Sequence, residues 1–168
     1  MSRPVATLPP FAVLVDAHAG AIARFLRGML GPDDAEDALQ ETLFAALRAY
    51  PRFDGANPRA WLLTIARNKA IDEHRAAVRR PGRLDEPDAH AGTGFRRPGQ
   101  GGGEAGVWEA VGGLPEKQRA AVVLRFALDL RYREIGAAMG CSEEAARRSV
   151  HEAMKSLRKS TEIEEATG

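Results

Sequence analysis

A group of mainly cationic side chains near the C-terminus, with one acid and one small residue, has the types and spacing needed to contact DNA. On a helix they would lie away from an apolar stripe that the same helix buries. Arginine suits guanine because two donors meet two acceptors on one base edge, which gives about 1–3 kcal/mol of discrimination. The candidate contacts to DNA in this segment are Glu144, Ala145, Arg147, Arg148, His151 and Lys155.

These side chains need a helix that can enter a groove, and the surrounding sequence favours a helix-turn-helix. A short helix would end at a turn over Gly140-Cys141-Ser142, and Ser142 would be the N-cap of the second helix. The N-terminal residues of such a second helix contact base edges. The alternative is a plain helical hairpin with a solvated charged face.

A second candidate site lies in "DDAEDALQETLFAAL", residues 33–47. Apolar residues, Leu47 among them, recur there at helical spacing and form a wide stripe that we expect to be buried. Phe44 interrupts the polar side of this helix, either because it folds back against the third helix or because it anchors an interface. An apolar anchor ringed by polar groups is typical of a small binding hot spot. The polar side consists of Asp37, Gln40, Glu41, Phe44 and Arg48.

A third candidate site follows in "FDGANPRAWLLTIARNKAIDEHR", residues 53–75. A helix from about Arg59 into the 70s would carry guanidinium, amide and aliphatic groups on one side, a mixture that suits phosphates and base edges. Surface solvation and helix capping are the alternative. Trp61 is interpreted as a packing residue. The mixed face comprises Thr64, Arg67, Asn68, Ile71 and Arg75.

The elements that position these sites are all predicted to be helices, because no segment alternates like a strand. One helix ends at Gly31-Pro32, Asp33 is predicted to cap the next, and Leu114-Pro115-Glu116 begins a later one that runs to about Leu128. Residues 81–106 are rich in glycine, proline and charge and lack periodicity. The sequence therefore predicts an all-α protein of two small helical domains joined by a flexible Gly/Pro-rich linker.

Composition limits the function. The 168 residues are 44% hydrophobic and 28% charged, with a net charge of +1, which excludes a uniformly basic coat for nucleic acid. The single cysteine, Cys141, suits a reducing compartment. The N-terminal stretch does not resemble a secretory signal, and no apolar run is long enough to cross a bilayer. A cytoplasmic protein without a membrane partner is expected.

Other chemistries find little support. The stretch "GQGGGEAG" is glycine-rich, but no Lys-Ser or Lys-Thr follows and no strand precedes it, so it does not predict a phosphate loop. The four histidines are scattered without metal-ligand spacing. No catalytic constellation is present. The sequence predicts a protein that is not an enzyme and needs no metal, cofactor or small-molecule substrate.

Three motifs in order resemble one known family. Residues 33–47, 53–75 and "LPEKQRAAVVLRFALDLRYREIGAAMGCSEEAARRSVHEAMKSLRK" are similar to the core-polymerase-binding, −10-reading and −35-reading segments of extracytoplasmic-function sigma factors, the small two-domain class of the sigma-70 family. The resemblance covers roughly residues 10–80 and 107–159. The recognition helix departs from the family pattern, since Ser149 and Glu152 stand where basic residues are common.

The resemblance implies a transcription initiation factor that binds core RNA polymerase, recognises −10 and −35 elements and helps to open DNA. Region 2 would span residues 10–80, the linker 81–106 and region 4 residues 107–160. Asp37 and its neighbours on the polar side of residues 33–47 would bind the β′ clamp helices, and Asp54 or Asn57 would read a flipped base of the −10 element. The expected partners are the core enzyme (β′ clamp helices and β flap), promoter DNA and an anti-sigma factor.

Two alternatives remain open from the residues alone. One is a stand-alone helix-turn-helix regulator, which would dimerise and ignore polymerase. The other is a degenerate sigma homologue retained for protein contacts. In the linker, Asp85, Glu86 and Asp88 would either mimic RNA phosphates inside the polymerase or form part of a simple tether.

Overall fold

The structure, a computed structural model, describes residues 7–79 and 104–167. Helices make up all of the regular secondary structure in these two ranges, so the predicted all-α fold is confirmed. Most of the predicted linker, residues 81–103, lies outside the described residues. Its last three residues, 104–106, belong to a helix.

Seven α-helices follow one another along the described chain. The first domain contains α1 (Phe11–Leu30), α2 (Pro32–Ala49), a short 3₁₀ turn (Tyr50–Arg52) and α3 (Pro58–Arg79). The second contains α4 (Glu104–Gly112), α5 (Glu116–Val122), a π-helical segment (Val123–Ala127), α6 (Tyr132–Met139) and α7 (Glu143–Thr167).

The turn between α1 and α2 is shorter than the sequence predicted, with one residue between the two helices. Gly31 ends α1 with a φ of 83°, a left-handed conformation that favours glycine, and Pro32 begins α2 directly. Proline fits the first helical position because its missing N–H would have no partner there. The predicted cap at Asp33 is therefore wrong, since Asp33 already lies within the first turn, where its charge still favours the helix dipole.

Small residues let the first three helices approach closely. On α2 the buried positions are Ala35, Ala38, Thr42 and Ala46, and the Thr42 hydroxyl donates to the Ala38 carbonyl at 2.7 Å. This bond satisfies the buried polar atom. Phe25 and Leu26 of α1 and Leu62 of α3 supply the bulk of the core.

The helix-turn-helix is confirmed. Helix α6 ends at Gly140, which has a φ of 66°, and the Ala145 N–H donates to the Ser142 hydroxyl at 3.1 Å, so Ser142 is the N-cap of α7 as predicted. The helix from Leu114-Pro115-Glu116 was also predicted, but the π-helical turn at its end was not.

The two domains pack against each other in the described residues. Helices α1 and α3 of the first domain contact α4, α6 and the π-helical segment of the second. At one point the backbone of Gly28 on α1 lies directly against the side chain of Val123. One continuous apolar core results.

We predict that Gly136→Ala destabilises the second domain by about 1–3 kcal/mol through overpacking. A methyl group at Gly136 would lie 2.7 Å from the Cys141 carbonyl oxygen, which belongs to the turn backbone and has little room to move. Gly106→Ala is the control, because nothing lies within 4 Å of a methyl group there. Thermal unfolding followed by circular dichroism measures both, and equal melting temperatures would contradict the prediction.

Candidate nucleic-acid and protein interfaces

The polar side of α2 forms a continuous exposed face. All five predicted residues are exposed there: Asp37, Gln40, Glu41, Phe44 and Arg48. Phe44 is 62% exposed, so the alternative in which it folds back against α3 is wrong. Leu47, assigned to the buried stripe, is 50% exposed and stands one turn after Phe44. The face therefore presents two apolar side chains among acids, an amide and a guanidinium.

An aromatic cluster fixes the loop between α2 and α3. The Phe53 and Trp61 rings stack with centroids 4.3 Å apart, and Tyr50 lies against Phe11 at 5.2 Å. The Tyr50 hydroxyl donates to the Pro9 carbonyl. Trp61 is a packing residue, as predicted. Because the loop begins at buried Phe53 and ends at α3, its short polar segment is held at both ends.

Asp54 and Asn57 both use part of their hydrogen-bonding capacity within this loop. Asp54 Oδ1 accepts from the Ala56 N–H at 2.9 Å, and Asn57 Oδ1 accepts from the Ala60 N–H at 3.2 Å, which caps the start of α3. Asn57 adopts a φ of 44°, which asparagine tolerates better than most residues. Both side chains are exposed, so one carboxylate oxygen of Asp54 and the amide NH₂ of Asn57 still point toward solvent.

The predicted mixed face of α3 divides into an exposed and a covered part. Asn68 and Arg75 are exposed, whereas the partly buried members are Thr64, Arg67 and Ile71. The Thr64 hydroxyl lies 3.0 Å from the carbonyl oxygen of Ala138 on α6. Arg75 lies 3.8 Å from Glu116 of α5. The second domain thus covers part of the surface on which a DNA strand was expected.

Among the described residues, Arg119 is the most deeply buried charged residue, and its role was not predicted from the sequence. It is 3% exposed, and its guanidinium donates to the carbonyls of Met29, Gly112 and Leu114. Burial lowers the pKa of Arg119, and the Glu116 carboxylate opposes that effect. Nearby, burial lowers the pKa of His74 from its ordinary 6.5, and the Arg119 charge acts in the same direction.

The recognition helix α7 presents most of its predicted contacts to solvent. Exposed side chains are Glu144, Arg147, Arg148, His151 and Lys155, while Ala145 is half-buried. Ser149 is buried and donates to the Ala145 carbonyl at 3.0 Å. A cation at position 149 would therefore face the core and not DNA.

Arg147 is restrained by two neighbours. Its guanidinium carbon lies 4.7 Å from the centre of the Tyr132 ring, and its Nη2 lies 3.3 Å from Glu143 Oε1. Tyr132 packs on the core at the start of α6, and Arg125 also lies over its ring at 5.3 Å. No such ring or carboxylate restrains Arg148 in the part of the chain that the structure describes. Neighbouring side chains therefore hold the Arg147 guanidinium in place, whereas that of Arg148 is not held in this way.

Two further features bear on function. Among the described residues, no three histidine, cysteine, aspartate or glutamate side chains are grouped so that they could hold a metal ion. No helix within residues 7–79 or 104–167 combines the length and apolar character needed to cross a membrane.

Comparison with protein-family models gives two matches in order along the chain. Residues 14–80 match "Sigma-70 region 2", and residues 105–157 match "Sigma-70, region 4". Together these two matches cover most of the chain and place one family module in each helical domain.

Similar proteins and similar structures agree with these matches. The chain is 35% identical over 159 residues to the ECF RNA polymerase sigma factor ShbA of Streptomyces griseus (84% of this chain and 83% of that protein). It is 32% identical over 155 residues to the ECF RNA polymerase sigma factor SigC of Mycobacterium tuberculosis (86% and 80%).

Two solved structures share the fold at more than 25% identity. The sigma factor RpoE in complex with the anti-sigma factor NepR from Bartonella quintana superposes with a TM-score of 0.72 at 26% identity, covering 93% of this chain and 99% of that one. CnrH in complex with the cytosolic domain of CnrY gives 0.67 at 28% identity, covering 91% and 88%. The chain belongs to the sigma-70 family, among the extracytoplasmic-function RNA polymerase sigma factors, which recognise promoters and initiate transcription.

Proposed function

We propose that the exposed face of α2 is the surface by which this sigma factor binds core RNA polymerase, through the β′ clamp helices. The observation that carries the proposal is the exposure of Phe44, 62%, within a ring of exposed polar groups. An apolar anchor surrounded by polar contacts concentrates binding energy at the centre of an interface. Leu47 extends the anchor, and the polar members of the face are Asp37, Gln40, Glu41 and Arg48.

The loop after α2 and the outward side of α3 are proposed to bind the −10 element. Asn57 and Asp54 would contact a base, since each retains a free polar group directed outward. The residues of α3 would hold the strand through phosphates and base edges. The proposed strand-binding side chains of α3 are Thr64, Arg67, Asn68, Ile71 and Arg75.

Helix α7 is proposed to read the −35 element, with different roles for its two arginines. A restrained arginine loses less conformational freedom when it binds, so Arg147 suits bidentate contact with guanine. Tyr132 would act as its positioning residue. Arg148, which has no such restraint, suits a phosphate contact. Glu144, Ala145, His151 and Lys155 would complete the surface.

The broader assignments follow from the family. We propose region 2 over residues 10–80, the linker over 81–106 and region 4 over 107–160, with the β flap of polymerase as a second contact of the core enzyme. The two structural relatives were solved as complexes, RpoE with the anti-sigma factor NepR and CnrH with the cytosolic domain of CnrY. An anti-sigma partner, a cytoplasmic location and the lack of catalytic activity are proposed on these grounds.

The first prediction concerns the core enzyme. Phe44→Ala and Gln40→Ala should each weaken binding to core polymerase, Phe44→Ala by about 2 kcal/mol or more because it removes the anchor. Val13→Ala is the matched control, since Val13 is an apolar residue of α1 that is 55% exposed. Titration of labelled core enzyme measures the affinity. Equal affinity of the Phe44 and Val13 variants would contradict the proposed surface.

The second prediction separates the two roles of Asn57. Asn57→Asp keeps an oxygen to cap α3 but loses the NH₂ donor, so the protein should fold normally and open promoters less well. Permanganate footprinting of the open complex at saturating holoenzyme measures opening. If Asn57→Asp opens promoters normally, Asn57 caps α3 but does not contact a base through its NH₂ group.

The third prediction concerns the −35 element. Arg147→Ala should change base preference at one position by a factor corresponding to about 1–3 kcal/mol, whereas Arg148→Ala should weaken all sequences alike and reduce the salt dependence by about one phosphate contact. Tyr132→Phe keeps the ring and should preserve the preference, while Tyr132→Leu should reproduce the effect of Arg147→Ala.

Transcription by holoenzyme from a library of randomised −35 sequences provides the measurement. If Arg147→Ala changes the preference and Tyr132→Leu does not, then Tyr132 does not position the arginine. If neither arginine variant affects any sequence, the assignment of α7 to the −35 element is wrong.

A further inference from the structure

The residues just before α1 lie against the loop between α2 and α3. Leu8 is partly buried against the core, and its Cδ2 atom lies 3.1 Å from the position that a methyl group on Gly55 would take. Gly55 adopts a φ of 83°, which favours glycine, and its lack of a side chain leaves room for Leu8. Residues 8–11, called here the N-terminal segment, therefore touch the middle of a loop that lies far along the chain.

The sequence makes the N-terminal segment stiff. Pro9 and Pro10 follow Leu8, and each proline fixes its own φ and restricts the residue before it to extended conformations. Pro10 has a φ of −51° and a ψ of 139°, and its carbonyl accepts from the Val13 N–H at 3.0 Å at the start of α1. Because a stiff connection joins Leu8 to α1, little conformational freedom is lost when Leu8 packs on the loop.

Tyr50 connects the N-terminal segment to both ends of the loop. Its hydroxyl donates to the Pro9 carbonyl, and its ring meets the Phe11 ring edge-on with centroids 5.2 Å apart. The same ring lies 6.1 Å from the Phe53 ring at the start of the loop and 6.3 Å from the Trp61 ring beyond its end. Aromatic rings at these separations attract one another beyond the area that they bury. Tyr50 thus links the segment to the loop through one hydrogen bond and several ring contacts.

The hydrogen bonds inside the loop are exposed to water. The Asp54 carboxylate accepts from the Ala56 N–H, and the Asn57 amide oxygen accepts from the Ala60 N–H. The side chains from Asp54 to Asn57 are all exposed. A segment held mainly by solvent-exposed hydrogen bonds opens at little cost in free energy. The packing of Leu8 on Gly55 adds a contact of another kind, which does not depend on those bonds.

We propose that Leu8 and Tyr50 are positioning residues for base recognition: through the N-terminal segment they hold Asp54 and Asn57 in the arrangement that receives a base. The inference rests on the proposed role of this loop at the −10 element. A loop that already has its binding shape loses less conformational freedom when a base enters, and it adapts less readily to a wrong base. Loosening the segment should therefore lower discrimination between bases and leave binding to core polymerase unchanged.

Two substitutions loosen the contact at separate points. Leu8→Ala removes the side-chain atoms that lie over Gly55, whereas Tyr50→Phe removes only the hydroxyl that donates to Pro9 and keeps the ring. Leu8→Ile conserves the side-chain volume and should behave like the wild type. Val13→Ala is the matched control for Leu8→Ala, because Val13 is an apolar residue near the segment that is 55% exposed.

Two measurements on the full-length variants test the proposal. Amide hydrogen exchange of the free protein, followed by mass spectrometry, should be severalfold faster over residues 53–60 in Leu8→Ala and Tyr50→Phe than in the wild type, Leu8→Ile or Val13→Ala. Transcription by saturating holoenzyme from a library of randomised −10 sequences should show a severalfold loss of base preference in the same two variants. The loss should occur at the position that Asn57→Asp also affects.

Equal exchange over residues 53–60 in Leu8→Ala and Val13→Ala would refute the positioning role, since the loop would then keep its shape without Leu8. Faster exchange with unchanged base preference would also refute it when Asn57→Asp alters the preference. Failure of the proposed −10 site looks different. In that case Asn57→Asp and Asp54→Ala would themselves leave the base preference unchanged, and the segment would support the loop without any part in base recognition.

Discussion

The contact between the two domains depends on donors for the carbonyl groups at the ends of helices. A chain of short helices has many such ends, and burying them without donors is costly. Arg119 supplies donors to the carbonyls at the ends of both α1 and α4. It can do so because a guanidinium carries five donors in one plane and reaches carbonyls that converge from different helices. A lysine ammonium, with its compact geometry, would not substitute well. One of these bonds, to Met29, crosses between the domains and joins the apolar core in holding the second domain on the first.

The same packing decides which surfaces remain available. The side of α3 proposed to bind DNA is partly covered, since Thr64 lies against Ala138 of α6, whereas Phe44 of α2 and Arg147 of α7 stay exposed. The surface proposed for polymerase is therefore available in this conformation, and part of the surface proposed for DNA is not. The exposed face of α2 is not separate from α3, because Glu41 of that face lies 3.8 Å from Lys69 of α3.

The sequence predicted the features that depend on local patterns. Each of three features depends only on residues close together in the sequence: the helical periodicity, the cap at Ser142 and the exposed polar side of α2. The structure confirms all three. Asp33 was misplaced because Gly31 and Pro32 allow an earlier start of α2. Leu47 was wrongly assigned to the buried side of α2. Small residues such as Ala46 fill that side, and Leu47 is exposed.

The features that depend on contacts far along the chain were not predicted. Arg119 looks like one more cation on an amphipathic helix, and its role appears only when Met29, 90 positions away, is brought next to it. Thr64 was assigned to DNA contact, and its bond to Ala138 spans 74 positions. The residues assigned to polymerase and DNA stay predictions from the sequence, whereas the contact between the domains was not predicted.

An order of events follows from the surfaces that stay exposed. A chain with a net charge of only +1 gains little from phosphate neutralisation, so we expect its unaided affinity for DNA to be low. In this conformation the face of α2 proposed to bind polymerase is exposed, whereas Thr64 on the side of α3 proposed to bind DNA lies against Ala138. We therefore expect the core enzyme to bind this chain before a promoter strand does.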